Sequence, residues 1–167
     1  TQEAAKRMQQ LISQMLTLAD VERPDTALSM HPVDLAAIAT KAALEMESLA
    51  YEKHVTLETE FPEECTLRSN ADYLQRIVSS LLENALKYEP TGGCVRMTLV
   101  QEKRRVRLSV QNFGSTIPAE DLPHVFDRFY RSDKSRKSES GSFGLGLAIT
   151  KEMVEKLGGE ISAVSST

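Results

Sequence analysis

Apolar residues recur at Ala4, Met8, Leu11, Met15 and Leu18, in alternating steps of four and three, and Ile12 and Leu16 widen the stripe. This spacing predicts an amphipathic helix over residues 1–21, of the kind that forms the seam of a coiled coil or helical bundle. The helix starts at the first residue with no evident cap and no initiating methionine, which reads as a piece of a longer chain. A lone helix of this length is marginal in water, so it should pack on a second chain, on an upstream segment or on its own domain. Pro24 ends it, because proline disfavours helical geometry in the residue before it.

Beyond residue 24 the pattern alternates between strand and helix. Residues 28–31 read as a short strand, and Pro32, Val33 and Asp34 introduce a helix that buries Leu35, Ile38, Ala39, Ala42, Met46 and Leu49. Strands are expected over 55–61 and 65–68, and a long helix over 70–88. Val95, Met97 and Leu99 face one way, as do Val106, Leu108 and Val110, and a turn at 102–105 makes these runs an antiparallel hairpin. A last helix over 145–157 is stopped by Gly158 and Gly159, and 160–164 reads as a closing strand. The fold class expected is α+β, a two-layer sandwich with helices on one face of a mixed, mostly antiparallel sheet, preceded by an N-terminal helix.

Composition narrows the function classes. With 20 basic and 24 acidic residues among 167, the net charge of −4 offers no general footing for nucleic acid. Two cysteines, Cys65 and Cys94, are too few for a disulfide scaffold and lack metal-ligand spacing, so they read as reduced thiols of a cytosolic setting. No apolar run approaches the roughly 18 residues needed to cross a bilayer. Lys103, Arg104, Arg105 and Arg107 surround the hairpin turn, where basic side chains blunt an edge.

Four segments carry candidate chemistry. On the helix over 70–88, the apolar stripe comprises Leu74, Ile77, Val78, Leu81, Leu82, Ala85 and Leu86. At about 100 degrees per residue, Ser80, Asn84 and Lys87 gather in a narrow arc beside it. A mid-helix Asn is a weak helix former and suits a carbonyl oxygen aimed at a hydrated divalent cation, although a solvated polar flank accounts for the same residues. After the hairpin, Asn112, Gly114 and Ile117 form a strand exit able to present an acceptor and a bare backbone to a flat ligand, or an ordinary loop. Gly141, Gly144, Leu145 and Gly146 open the last helix, where free amides and the positive dipole end offer an anion site. The order of these glycines matches neither a Walker A loop nor a dinucleotide fingerprint. Between these lie Phe126, Arg128, Phe129, Tyr130 and Arg131, then a Ser- and Lys-rich stretch over 132–142 carrying Lys134, Arg136 and Lys137. That stretch reads as a mobile loop, with the aromatic residues anchoring its start and a lid as its candidate role.

In this order the four segments resemble the ATP-binding catalytic domain of sensor histidine kinases, which has the Bergerat fold shared with type II topoisomerases and the ninety-kilodalton heat-shock chaperone. Residues 82–88 resemble the N box, 112–117 the first glycine box, 126–131 the F box and 141–147 the second glycine box. Residues 1–24 are similar to the end of the dimerisation and histidine-phosphotransfer hairpin, leaving 25–167 as the ATP-binding domain. The resemblance implies that Asn84 ligates Mg²⁺, Lys87 neutralises phosphate, Tyr88 packs near the adenine and Asn112 meets its amino group. Gly114 and Ile117 would shape the base slot, Gly141, Gly144, Leu145 and Gly146 would cradle phosphates, and Arg128 or Arg131 would reach the terminal phosphate.

Three positions depart from the family pattern. Asn112 stands where Asp is usual, Ser80 where a second Asn is common, and Thr116 where a glycine is usual. The first implies weaker nucleotide binding, since an amide oxygen lacks full charge. The second leaves one metal or water contact open.

The resemblance further implies ATP and Mg²⁺ as cofactors, ADP as product, a homodimeric full-length kinase, a histidine on the dimerisation helix as acceptor, and a response regulator beyond it. It implies the cytoplasmic portion of a membrane-anchored bacterial sensor, not itself membrane-inserted. His31, His54 and His124 fall in a strand region, a helix end and a loop, and none reads as the acceptor. A nucleotide-binding regulatory module without phosphotransfer and an anti-sigma-type protein serine kinase are the alternatives.

Overall fold

The computed structural model describes residues 1–25, 27–132 and 143–166. The chain divides into two compact units, one of Leu28–Thr116 and one of Thr1–Ala27 with Ile117–Ser166.

In the first unit the elements run β1 (His31–Asp34), α2 (Leu35–Glu52), β2 (Thr56–Glu60), β3 (Thr66–Ser69), α3 (Ala71–Tyr88), β4 (Cys94–Gln101) and β5 (Val106–Asn112). β1 pairs antiparallel with β3, β2 parallel with β4, and β4 antiparallel with β5, so the strand pairing is mixed and mainly antiparallel as expected. In the hairpin, Val95 stands opposite Asn112, Met97 opposite Val110 and Leu99 opposite Leu108. This alternation buries Val95, Met97 and Leu99 on one face. β1 and β3 form a two-stranded sheet and β2, β4 and β5 a three-stranded one, and helices α2 and α3 pack on each other and on the latter. Val78, Leu82 and Leu86 of α3 are wholly buried, each worth roughly 1.5–3 kcal/mol of transfer free energy.

The first strand lies later than the periodicity suggests. Residues 27–30 are irregular and β1 spans His31–Asp34, with Pro32 inside it. Proline lacks a ladder N–H but is tolerated here because, among the described residues, β1 has a strand on one side only. Asp34 starts the helix instead: its carboxylate accepts from the N–H of Ala36 and of Cys65, 3.0 Å each, capping α2 and fixing the entry to β3. Asn70 likewise caps α3 through the Tyr73 N–H at 3.0 Å.

Lys53, at the end of α2, reaches across to the last carbonyls of α3, donating to Leu86 O and, at 2.7 Å, to Lys87 O. An ammonium at a helix C-terminus satisfies orphan carbonyls and complements the dipole. Burial pulls its pKa below the usual lysine range, an effect opposed by the charge of Glu89. Lys53→Met is expected to cost about 1–2 kcal/mol, read as a lower urea midpoint at unchanged slope. An unaltered midpoint would mean that water caps α3 equally well.

The second unit contains α1 (Gln2–Glu22), a short 3₁₀ turn (Leu122–His124) and α4 (Gly146–Lys156). α1 is capped after all: the Thr1 hydroxyl accepts from the Ala4 N–H at 3.2 Å. It packs on α4 through its C-terminal part, where Leu18 and Val21 are buried, and Lys156 of α4 donates to Val21 O and Arg23 O. Met8, Ile12, Met15 and Leu16 are exposed. Residues 160–164, expected as a closing strand, are irregular. Alternation alone does not make a strand where no ladder partner lies alongside, and none is found among the described residues. No helix among these residues is long and apolar enough to cross a membrane.

Candidate functional site

Helix α3 is unbroken from Ala71 to Tyr88, so the arc anticipated for Ser80, Asn84 and Lys87 is realised along one face. All three are half-buried beside the core stripe, while Tyr88 is exposed. The Lys87 ammonium stands 5.6 Å from the centre of the Tyr88 ring, a cation–π arrangement that holds both side chains at the C-terminal end of the helix.

Directly after Tyr88 comes a residue that the periodicity does not single out. Glu89 is 3% exposed, although no apolar pattern calls for its burial. Its Oε1 accepts from the N–H of Gly114 at 2.6 Å and of Cys94 at 3.2 Å, and its Oε2 accepts from Asn112 Nδ2 at 2.7 Å. A carboxylate is an acceptor only, and all three partners are donors, so the group is satisfied where it lies. Asn112 also donates from Nδ2 to Ala85 O at 2.8 Å, which ties the end of β5 to the last turn of α3.

The glycines around this carboxylate are spatial requirements. A Cβ on Gly114 would come within 2.5 Å of Glu89 Oε1, and one on Gly93 would overlap the same oxygen. Only bare backbone can approach Glu89 so closely. A buried acid following a helix and preceding a proline looks solvated in sequence. The hint lies in two glycines, Gly93 four residues on and Gly114 across the hairpin.

In the other unit, Gly144 has φ +74 and lies against the F-box segment. Its carbonyl accepts from the Phe129 N–H at 2.9 Å, and a Cβ there would meet Tyr130 O at 2.6 Å. Leu145 is fully buried, and the first turn of α4, beginning at Gly146, has no side-chain cap. Its leading amides are therefore of the kind that bind anions.

Ile117 donates its N–H to Ser165 Oγ at 2.9 Å. Arg128 forms an ion pair with Glu22 of α1. Tyr130 is held by Asp121 and by the ring of His124 at 5.2 Å, whereas Phe129 is 56% exposed, so of these two aromatics Tyr130 is the anchor. Arg131 is half-buried. Gly141, the basic residues Lys134, Arg136 and Lys137, and most of the expected lid loop lie outside the described residues.

The three histidines are engaged or exposed. His31 is 2.7 Å from the Ser29 hydroxyl, His54 is exposed with φ +55 just after α2, and His124 pairs with Asp127 at 2.8 Å.

Among the described residues there is no cluster of three or more His, Cys, Asp or Glu able to hold a metal ion. A cation here would need oxygen donors of another kind. The Asn84 carboxamide fits Mg²⁺, which keeps much of its water and binds through few protein oxygens together with substrate phosphates.

An α+β unit with this helix and this glycine turn, in a chain that also carries a glycine-opened helix, defines an ATP-binding domain of the histidine kinase type. Residues 69–167 match the family described as histidine kinase-, DNA gyrase B-, and HSP90-like ATPase, and the chain belongs to that family.

Its relatives are sensor kinases. The probable sensor protein PcoS of Escherichia coli is 38% identical over 162 residues, covering 96% of this chain and 34% of PcoS. The sensor histidine kinase WalK of Bacillus subtilis is 33% identical over 168 residues, covering 99% of this chain and 27% of WalK. The chain thus spans about a third of the length of these curated relatives. Full-length ShkA, solved in complex with AMPPNP, superposes with a TM-score of 0.81 at 25% identity, over 93% of this chain and 32% of ShkA.

Proposed function

We propose that the chain is the catalytic part of a two-component sensor kinase, which binds Mg²⁺-ATP and passes the γ-phosphoryl group to a histidine on a dimerisation helix. From there the group moves to an aspartate of a response regulator. Residues 1–24 form the end of the dimerisation and phosphotransfer hairpin of a homodimer, 25–167 form the ATP-binding domain, and the whole belongs to the cytoplasmic side of the sensor. The observation that carries this reading is the polar face of α3, where Asn84 and Lys87 stand half-buried within one arc.

Asn84 would hold Mg²⁺, with Ser80 beside it at the cofactor, and the bound ion would draw charge from the phosphate oxygens. Lys87 neutralises the phosphates, and the amides opening α4 at Leu145 and Gly146, with Gly144 and Gly141 before them, bind the anion. Tyr88, Asn112, Gly114 and Ile117 receive the adenine, Asn112 at its amino group. Arg128 and Arg131 serve the terminal phosphate. Catalysis of this kind is positioning and charge neutralisation, with little covalent work for the protein. The acceptor is not His31, His54 or His124, in keeping with their exposure and local partners.

Joining the chain to its dimerisation hairpin and following labelled γ-phosphate tests the reading. Label should appear on the hairpin histidine, acid-labile and base-stable. ATP bound without transfer would support the regulatory-module reading instead. Arg128→Ala should slow transfer at least about tenfold while nucleotide affinity changes little, because its contact is made as charge moves to the terminal phosphate. A large affinity loss with normal turnover would contradict that role.

A further inference from the structure

We infer that Glu89 is a positioning residue that sets purine specificity, by fixing which end of the Asn112 carboxamide faces the base. The inference rests on the reading of Asn112 as the adenine contact and adds to it the group that makes Asn112 selective. A carboxamide has a donor end and an acceptor end of nearly equal shape, and its neighbours decide which points where. Free to rotate, Asn112 would serve a 6-amino purine through its oxygen or a 6-oxo purine through its nitrogen.

Here it is not free. Nδ2 is taken by two acceptors, Ala85 O at 2.8 Å and Glu89 Oε2 at 2.7 Å. A half-turn would set Oδ1 against both, leaving a carbonyl and a carboxylate facing a third acceptor in a partly buried place. The outward end is therefore Oδ1, which has no hydrogen-bond partner among the described residues and is an acceptor suited to an amino group.

Glu89 is itself held. It is 3% exposed, its other oxygen is fastened by the Gly114 and Cys94 amides, and bare backbone at Gly93 and Gly114 leaves it room. The carboxylate missing from position 112 thus stands one residue beyond Tyr88. It lies behind the amide, where it orients the acceptor.

Titration calorimetry with Mg²⁺-ATP and Mg²⁺-ITP tests this, because the two nucleotides differ at the purine 6-position, amino in one and oxo in the other. The intact chain should prefer ATP at least about tenfold, since the wrong base sets acceptor against acceptor. Asn112→Ala should bring the ratio near one. Glu89→Gln should also lower it about tenfold or more. Its Oε1 can still accept from Gly114 and Cys94, but its Nε2 then opposes Nδ2 of the held amide and donates to Oδ1 of the flipped one, so that only Ala85 O still resists the flip. Loss of the preference in N112A with its retention in E89Q would overturn the role of Glu89 and leave Asn112 as the base contact. A preference that survives N112A would overturn the reading of Asn112 itself.

If E89Q does not fold, the unaltered protein decides. The side-chain amide protons of Asn112, seen by nitrogen-resolved NMR without nucleotide, should exchange slowly with water. Exchange as fast as that of an exposed asparagine would overturn the inference.

Discussion

Asn84→Ala is expected to abolish Mg²⁺-dependent ATP binding, lowering affinity at least about a hundredfold, with the fold intact. The two halves of this expectation have separate causes. Ala is the better helix former, so an exchange on the polar border of α3 favours the helix by up to about 0.7 kcal/mol, and the buried stripe of Leu74, Ile77, Val78, Leu82 and Leu86 is untouched. Binding, in contrast, loses the carboxamide oxygen, and no carboxylate or histidine cluster among the described residues offers a replacement for the cation. Lys87, the amides opening α4 and the F-box arginines would then face the triphosphate without a cation to bridge its oxygens.

Thermal melting reads both effects. Ligand at about a hundred times its dissociation constant stabilises the native state by about 2.7 kcal/mol, a shift of several degrees for a chain of this size. The intact protein should show that shift and lose it with a chelator. The variant should melt at the unliganded temperature either way. A full nucleotide shift in the variant would refute the assignment of Asn84.

How far this site is legible in the sequence depends on whether a residue's place follows from its near neighbours. Helix α3 is legible because seven apolar residues repeat at helical spacing, and that spacing also sets the arc of Ser80, Asn84 and Lys87. The hairpin is legible because alternation in Val95, Met97 and Leu99 is matched by Val106, Leu108 and Val110 across a polar turn. The closing strand expected over 160–164 is absent, since a strand exists through its partner and alternation carries no information about one. Pro32 misleads for a related reason: its tolerance within β1 depends on β1 having one strand neighbour among the described residues.

Glu89 is the least legible of all. No apolar periodicity around it indicates a buried acid, and its donors come from Cys94, Asn112 and Gly114, brought to it by the β4–β5 hairpin. The strand exit offers Asn112 as an acceptor, and the resemblance gives that acceptor its base. The reason its oxygen faces outward resides in Ala85 and Glu89, and only the fold brings these to it.

Gly144→Ala is expected to destabilise the protein by about 2–4 kcal/mol, through two effects that a second glycine can separate. The first is conformational: φ is +74, and an L-residue pays about 1–2 kcal/mol in the left-handed region. The second is steric, because the new Cβ would lie 2.6 Å from Tyr130 O and 2.8 Å from Phe129 C. Both are backbone atoms, so relief requires the turn at 129–130 to retreat. That turn is itself unusual: Phe129 has φ +61 and donates its N–H to Gly144 O at 2.9 Å. Retreat would weaken this bond and release Phe129 toward negative φ.

Gly158 supplies the comparison, with φ +82 and nothing within 4 Å of where a Cβ would stand. Gly158→Ala should therefore show the conformational cost alone, about 1 kcal/mol. Denaturant midpoints should fall in the order wild type, G158A, G144A, and amide exchange at Phe129 should quicken in G144A only. Equal losses in the two variants would mean that close approach to the F box contributes nothing, and that Gly144 is required for its backbone angle alone.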